Sequence, residues 1–246
     1  VAQPGSAKAT GYIYDPNSGA TQGKLMLMVA PNAASSQPVT AACPYPATSS
    51  NWATGCRGLQ FAYDSTSGNI SEIDFLTSDG TTLTKIPVAE YTYDASGLLV
   101  AEWDPRISTP LKTTYTYEEN SADADYGRLT RISPAQSTSG TLAPWTLAYN
   151  DSGSSPDFGK LASITRTHNA ANGGGTAKSV IAYSVPLTTA AGGPADMDAS
   201  TTATWAQTDT PVSAVAVFPP DHAPTSNPPT DWTYAQILYY DAEGRE

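Results

Sequence analysis

A short pattern recurs along this chain and limits what it can fold into. It is a strand ending in tyrosine, a polar turn, then Gly-x-Leu/Ile-x-x-apolar. Tyr63-Asp64 leads to Gly68-Asn69-Ile70-Ser71-Glu72-Ile73, and Tyr117-Glu118 leads to Gly127-Arg128-Leu129-Thr130-Arg131-Ile132. Tyr149-Asn150 leads to Gly159-Lys160-Leu161-Ala162-Ser163-Ile164. Tyr14-Asp15 leads, through a longer turn, to Gly23-Lys24-Leu25-Met26-Leu27-Met28. Tyr93-Asp94-Ala95-Ser96-Gly97-Leu98-Leu99 is the tightest copy; it departs afterwards, with Glu102 where the second apolar residue belongs and Trp103 one step later. Tyr240-Asp241-Ala242-Glu243-Gly244-Arg245 opens another. One Tyr-Asp-x-x-Gly arises easily by chance, but recurrence with matching turn chemistry defines a repeat.

The unit has a readable physics. Leu59, Phe61 and Tyr63 share one face of an incoming strand, as do Ala89, Tyr91 and Tyr93, and Thr113, Tyr115 and Tyr117; a period of two is the strand signature. Asp or Asn after the tyrosine accepts backbone hydrogen bonds and starts the turn. Glycine supplies the positive φ of a tight hairpin. In the outgoing strand the second apolar residue follows the first after three positions. Strict alternation would give two, so the spacing predicts a β-bulge or a strong local twist.

Composition agrees with an all-β chain. Tyrosines number 14 against 4 Phe, which suits a half-buried sheet surface with packed rings and wet hydroxyls. Gly and Pro, at 19 and 20, favour turns over long helices. A net charge of -11 with only 12 scattered Lys and Arg argues against nucleic-acid binding, which needs clustered cations to displace phosphate counterions. No stretch of about 18 apolar residues predicts a spanning helix, so no membrane insertion is expected. The start lacks the features of a signal peptide, which implies a leader already removed or a start inside a longer chain; the repeat opening at Tyr240 favours the second. Cys43 and Cys56 bracket a Pro-, Ser- and Thr-rich stretch. Their closeness predicts a local disulfide in a secreted or surface-exposed protein, the alternative being two buried thiols.

The runs Tyr-Thr-Tyr-Asp-Ala-Ser-Gly-Leu-Leu at 91–99 and Tyr-Tyr-Asp-Ala-Glu-Gly-Arg at 239–245 resemble the YD-repeat, or Rhs-repeat, family, in the Ala/Thr-rich form of secreted actinobacterial proteins. The resemblance covers roughly 10–165 and 236–246. It implies hairpin repeats in a curved or spiralling sheet, a segment of a hollow shell. Such shells enclose a toxic domain in polymorphic toxins and support adhesion in teneurins. The implied role is structural, with neighbouring repeats of a longer parent chain as partners and an enclosed cargo domain. The closing Asp-Pro-x-Gly-type segment of the toxin shells has no counterpart: Asp15-Pro16 and Asp104-Pro105 lack the glycine pattern. No autoproteolytic residue is carried over.

The expected organisation is a repeat sheet over 1–169, an irregular insertion over 170–235 and the start of a further repeat over 236–246. Within the insertion, Gly173-Gly174-Gly175 and Gly192-Gly193-Pro194 read as connections, and Val180–Val185 as a strand. Asp198 is placed to cap a short helix running to Trp205. The Pro-rich run Phe218–Pro229 reads as a loop decorating the sheet. A search for chemistry finds little. His168 and His222 lack a surrounding base–orienter pattern, and no nucleophile elbow, zinc motif or phosphate loop occurs. Asp123/Asp125 and Asp196/Asp198 pair carboxylates on turns, as calcium prefers, but neither pair has the third ligand or the distal Glu of a loop site. Trp52, Trp103, Trp145, Trp205 and Trp232 read as core residues. No cofactor or catalytic residue is expected. The leading expectation is therefore a scaffold; the alternative is an extracellular module contacting a glycan or a partner protein through 170–235.

Overall fold

The computed structural model of this chain describes residues 9–17, 19, 21–31, 39–109, 111–136, 142–167 and 174–246. The alternating runs form strands, and the glycine turns join them into hairpins. In chain order the strands are β1 (Gly11–Tyr14), β2 (Leu25–Val29), β3 (Arg57–Tyr63), β4 (Ile70–Ser78), β5 (Leu83–Tyr93), β6 (Leu99–Trp103) and β7 (Thr113–Tyr117). They continue with β8 (Leu129–Ser133), β9 (Trp145–Tyr149), β10 (Leu161–Thr167), β11 (Thr176–Ala182), β12 (Ser213–Phe218) and β13 (Gln236–Tyr240). The fold is all-β. Each strand pairs antiparallel with its neighbours in the chain, and the sheet does not close into a barrel. Two compact units are present, one built on β1–β6 and one on β8–β13, with the division falling after Thr114 inside β7.

The three-residue apolar spacing has a structural cause. Tyr63 lies opposite Ile70 while Ala62 lies opposite Glu72, which leaves Ser71 as the extra residue of a bulge. The same skip occurs at Met26, between the pairs Tyr14/Leu25 and Ile13/Leu27. It recurs at Val100, between Tyr93/Leu99 and Thr92/Ala101, and at Ala162, between Tyr149/Leu161 and Ala148/Ser163. One unpaired residue returns the next apolar side chain to the tyrosine face, so Ile73 meets Phe61 and Ile164 meets Leu147. A bulge that bends the strand and increases its twist is the expected consequence.

In the first unit the core sits on the face opposite the tyrosines. Leu27, Val29 and Leu76 are buried there under a plug formed by helix α1 (Val39–Ala42), Trp52 and the disulfide-linked Cys43 and Cys56. The plug is tied down by polar contacts: the Trp52 indole donates to the Pro44 carbonyl at 2.8 Å, and the Ser78 hydroxyl donates to the Trp52 carbonyl at 3.1 Å. Gly58 lets it approach, since a Cβ there would lie 2.8 Å from the Met28 carbonyl oxygen and 3.2 Å from the Trp52 ring. The second unit gathers its core around Val185, Ala214, Ala216 and Phe218, with Val180, Trp232 and Ile237 packed against it. Residues 170–235 thus hold β11 and β12 besides their loops. Asp198 does cap a helix, α2 (Ala199–Ala203), by accepting from the Thr201 N–H at 2.8 Å, but the helix stops at Ala203, before Trp205.

Cys43 and Cys56 are bonded, closing a loop with a sequence separation of 13. By the loop-entropy relation this crosslink stabilises the native chain by about 3 kcal/mol. Urea denaturation with and without reductant, and of the Cys43→Ser/Cys56→Ser double variant, is expected to show a loss of that order. Unchanged stability would mean that the plug holds without its bond.

Candidate functional site

The six glycine turns are built alike. In each, the residue after the tyrosine donates its N–H to the carbonyl of the residue after the glycine. It also accepts the glycine N–H: Asp15 with Gly23 and Lys24, Asp64 with Gly68 and Asn69, Asp94 with Gly97 and Leu98, Glu118 with Gly127 and Arg128, Asn150 with Gly159 and Lys160, and Asp241 with Gly244 and Arg245. The six glycines have φ between +71° and +79°, the left-handed region where a Cβ is unfavourable. The carboxylates act as turn caps: Asp94 Oδ1 accepts from Ser96 and Leu98 N–H groups, and Asp241 Oδ1 from Glu243 and Arg245. At Asp64 and Asp241 the accepted bonds hold the carboxyl below the usual carboxylate range.

The tyrosines then join one hairpin to the one before. The Tyr63 hydroxyl donates to the Leu25 carbonyl at 2.7 Å, and Tyr93 to Ile70 at 2.6 Å. Tyr149 donates to Leu129 at 2.8 Å, and Tyr183 to Leu161 at 3.0 Å. Each acceptor is the Leu or Ile of the preceding Gly-x-Leu/Ile. Burial raises all four phenols above the ordinary tyrosine value. A protonated hydroxyl is the donor form, so burial and hydrogen bond favour the same state.

The variable residue after the glycine makes a second link. Lys24 Nζ donates to the Gly68 carbonyl and lies 4.8 Å from the Tyr63 ring centre. Asn69 Nδ2 donates to the Gly97 carbonyl at 3.0 Å. The Arg128 guanidinium lies 5.3 Å from the Tyr149 ring centre, and Lys160 Nζ 4.9 Å from that of Tyr183. The cation and the next turn's glycine fit together, because a Cβ on Gly159 would stand 2.2 Å from an Arg128 Nη, and one on Gly68 2.8 Å from Lys24 Nζ. Tyr183 and this second link were not visible in the repeat spacing.

The carboxylate pairs on turns are consumed locally. Asp123 accepts from the Asp125 N–H at 2.9 Å, and Asp125 pairs with Arg128. Asp196 accepts from the N–H and hydroxyl of Thr189. Among the described residues no group of three His, Cys, Asp or Glu is arranged to hold a metal ion. His168 lies outside the described residues; His222 stacks on Tyr234 with ring centres 3.6 Å apart and has Nδ1 3.2 Å from Asp221. They border an open depression of about 290 Å³ that Phe218 and Thr230 also line.

One ionic cluster has the look of an acid–base pair. Burial raises the Asp74 carboxyl, whereas hydrogen bonding to Asp74 and Lys85 lowers Glu72; Lys85 Nζ sits 2.8 Å from Asp74 and 3.0 Å from Glu72. Asp74 has no solvent exposure, so no substrate reaches it, and the cluster serves to neutralise a buried charge. Of the tryptophans, Trp52 is buried, while Trp103 and Trp145 are half-buried beneath Lys112 and Arg166. Trp205, expected in the core, is 59% exposed because it follows the short α2 into a turn. Comparison with known proteins yields no matching family model and no matching curated protein.

Two glycines with nearly equal φ, +77° at Gly127 and +79° at Gly159, separate backbone strain from the link. Gly127→Ala meets open space and Gly159→Ala meets Arg128. Both substitutions place a Cβ in the left-handed region, at about 1 kcal/mol each. Gly159→Ala is expected to cost more by displacing the guanidinium, and Arg128→Ala in that background should remove the excess. Thermal or urea denaturation of Gly127→Ala, Gly159→Ala, Arg128→Ala and the Gly159→Ala/Arg128→Ala double variant checks this.

Proposed function

We propose that this chain is a structural segment of a YD-repeat wall, secreted or held at the cell surface, which encloses or displays a toxin or an adhesive element and performs no chemistry of its own. Its partners are neighbouring repeats of a longer parent chain and a cargo domain within. The observation that carries this reading is the tyrosine ladder: the repeat-defining side chains are directed at the preceding hairpin, leaving few polar groups converging on a ligand. The Cys43–Cys56 bond suits an oxidising compartment. A net charge of -11 disfavours nucleic acid. Among the described residues no helix is long and apolar enough to cross a membrane.

One observation favours a second reading, a module that binds glycans through 170–235. Trp205 and Tyr234, at 59% and 57% exposure, are rings of the kind that stack on sugars, and binding on a glycan array that is lost in Trp205→Ala or Tyr234→Ala would support it.

A hydrolase screen on glycosides, peptides and esters tests the wall. Silence is expected. Activity that follows the protein through purification and vanishes on replacing Asp123, Asp125, Asp196 or Asp198 would overturn it, since a turn carboxylate held by local hydrogen bonds would then be acting as a catalyst.

A further inference from the structure

The ladder has a regular polarity. Strands entering a turn (β3, β5, β9, β11) receive on their outer side a strand leaving the previous turn. That outgoing strand brings a Leu or Ile carbonyl to the tyrosine hydroxyl. In three of these four junctions it also brings a Lys or Arg over the tyrosine ring. β1 is an entering strand of the same kind. Its turn carries the same pair of backbone bonds, and Gly23 has φ +73°. The receiving half of the junction is present, but among the described residues β1 pairs with β2 alone. Tyr14 is 55% exposed. The space above Gly23, which at Gly68 and Gly159 is filled by Lys24 and Arg128, holds nothing within 4 Å of an added Cβ among the described residues.

We infer that the outer edge of β1 is a docking surface for one partner: the outgoing strand of a further hairpin of this type, an extended segment of pattern Gly-Lys/Arg/Asn-Leu/Ile-x-x-apolar. This rests on the wall reading and specifies which edge extends it and by what chemistry. Among the described residues the outer side of Gly11–Tyr14 faces no other strand, which leaves it open to strand addition. Tyr14 selects register, because its hydroxyl meets a carbonyl only when the partner's Leu or Ile lies opposite. The vacant space over Gly23 accepts a long polar side chain, and the chain's excess of 23 acidic over 12 basic residues favours a cation there. The opposite edge, β13, does not compete for the same segment in the same way: Arg245 already lies beside Asp209, Asp241 and Glu243.

The test is an NMR titration of the isotope-labelled chain with a synthetic peptide of its own Gly159–Thr167 sequence. Saturable shifts are expected in the amides of Gly11–Tyr14 and Gly23. Tyr14→Phe should weaken binding about five-fold, the loss of one hydrogen bond, and a peptide with Lys160→Glu should weaken it further. Shifts absent at Gly11–Tyr14, or insensitive to both substitutions, would overturn the inference. Loss of stability in Tyr93→Phe separates the two levels. If that loss is seen while the peptide fails to bind, the ladder stands and this docking surface falls; if it is not seen, the ladder itself falls.

Discussion

The regular junctions of this molecule turn on a tyrosine hydroxyl reaching a carbonyl of the neighbouring strand. A sheet built from hairpins has backbone bonds between every pair of neighbours, but those bonds are the same at every register. What fixes register is a side chain that is satisfied in only one alignment. Here Tyr63, Tyr93, Tyr149 and Tyr183 are placed to perform that function. Each ring covers the start of the preceding outgoing strand, and each hydroxyl finds the Leu25, Ile70, Leu129 or Leu161 carbonyl. The left-handed glycine and the bulge place that carbonyl: the glycine closes the turn, and the skipped residue frees the following backbone from strict pairing. The cation on the next position then closes over the ring, where attraction to the aromatic face adds about 0.5–1 kcal/mol at partly exposed sites.

A ladder of this kind does not require a thick hydrophobic core, and the burial pattern reflects that. Among the described residues most buried apolar side chains fall in two clusters, one beneath the disulfide-linked plug and one around Phe218. The tyrosines Tyr63, Tyr93, Tyr149 and Tyr183 are only half-buried. The buried Asp74 carboxylate faces the Lys85 ammonium at 2.8 Å, and the Trp52 and Trp232 indoles donate to the Pro44 and Gly192 carbonyls. At Asp64 and Asp241 backbone N–H groups hold the carboxyl below the usual carboxylate range, and Asp74, whose carboxyl burial raises, is sealed from solvent.

The parts that were legible in the sequence are those decided by neighbours within a few residues. Asp94 and Gly97 name their turn because an Asx cap and a left-handed glycine are local requirements. The bulges were legible as a three-residue apolar spacing at Leu25, Ile70 and Leu161, and the disulfide as two cysteines close in the chain. What escaped is non-local. Tyr183 is a rung, yet the chain leaves for Ser184 and the excursion before β12, so no glycine follows at the repeat distance. Lys24, Arg128 and Lys160 occupy a position that tolerates Leu98 and Asn69, which hides their shared contact. The Asp74–Lys85 pair depends on a second register shift between Ile73 and Asp74, which no local rule predicts. Trp205 was misplaced into the core because residue type favours burial, whereas the end of α2 decided its position.

The most direct measurement is the stability of single Tyr→Phe variants at Tyr63, Tyr93, Tyr149 and Tyr183, compared with Tyr14→Phe. Each ladder substitution removes one donor and leaves a half-buried carbonyl unsatisfied, a loss of about 1 kcal/mol. Tyr14, exposed and without a preceding hairpin among the described residues, should cost close to nothing. That contrast is the predicted result; equal effects at all five positions, or no loss at the four rungs, would contradict the claim that the tyrosine hydroxyls hold the repeats in register.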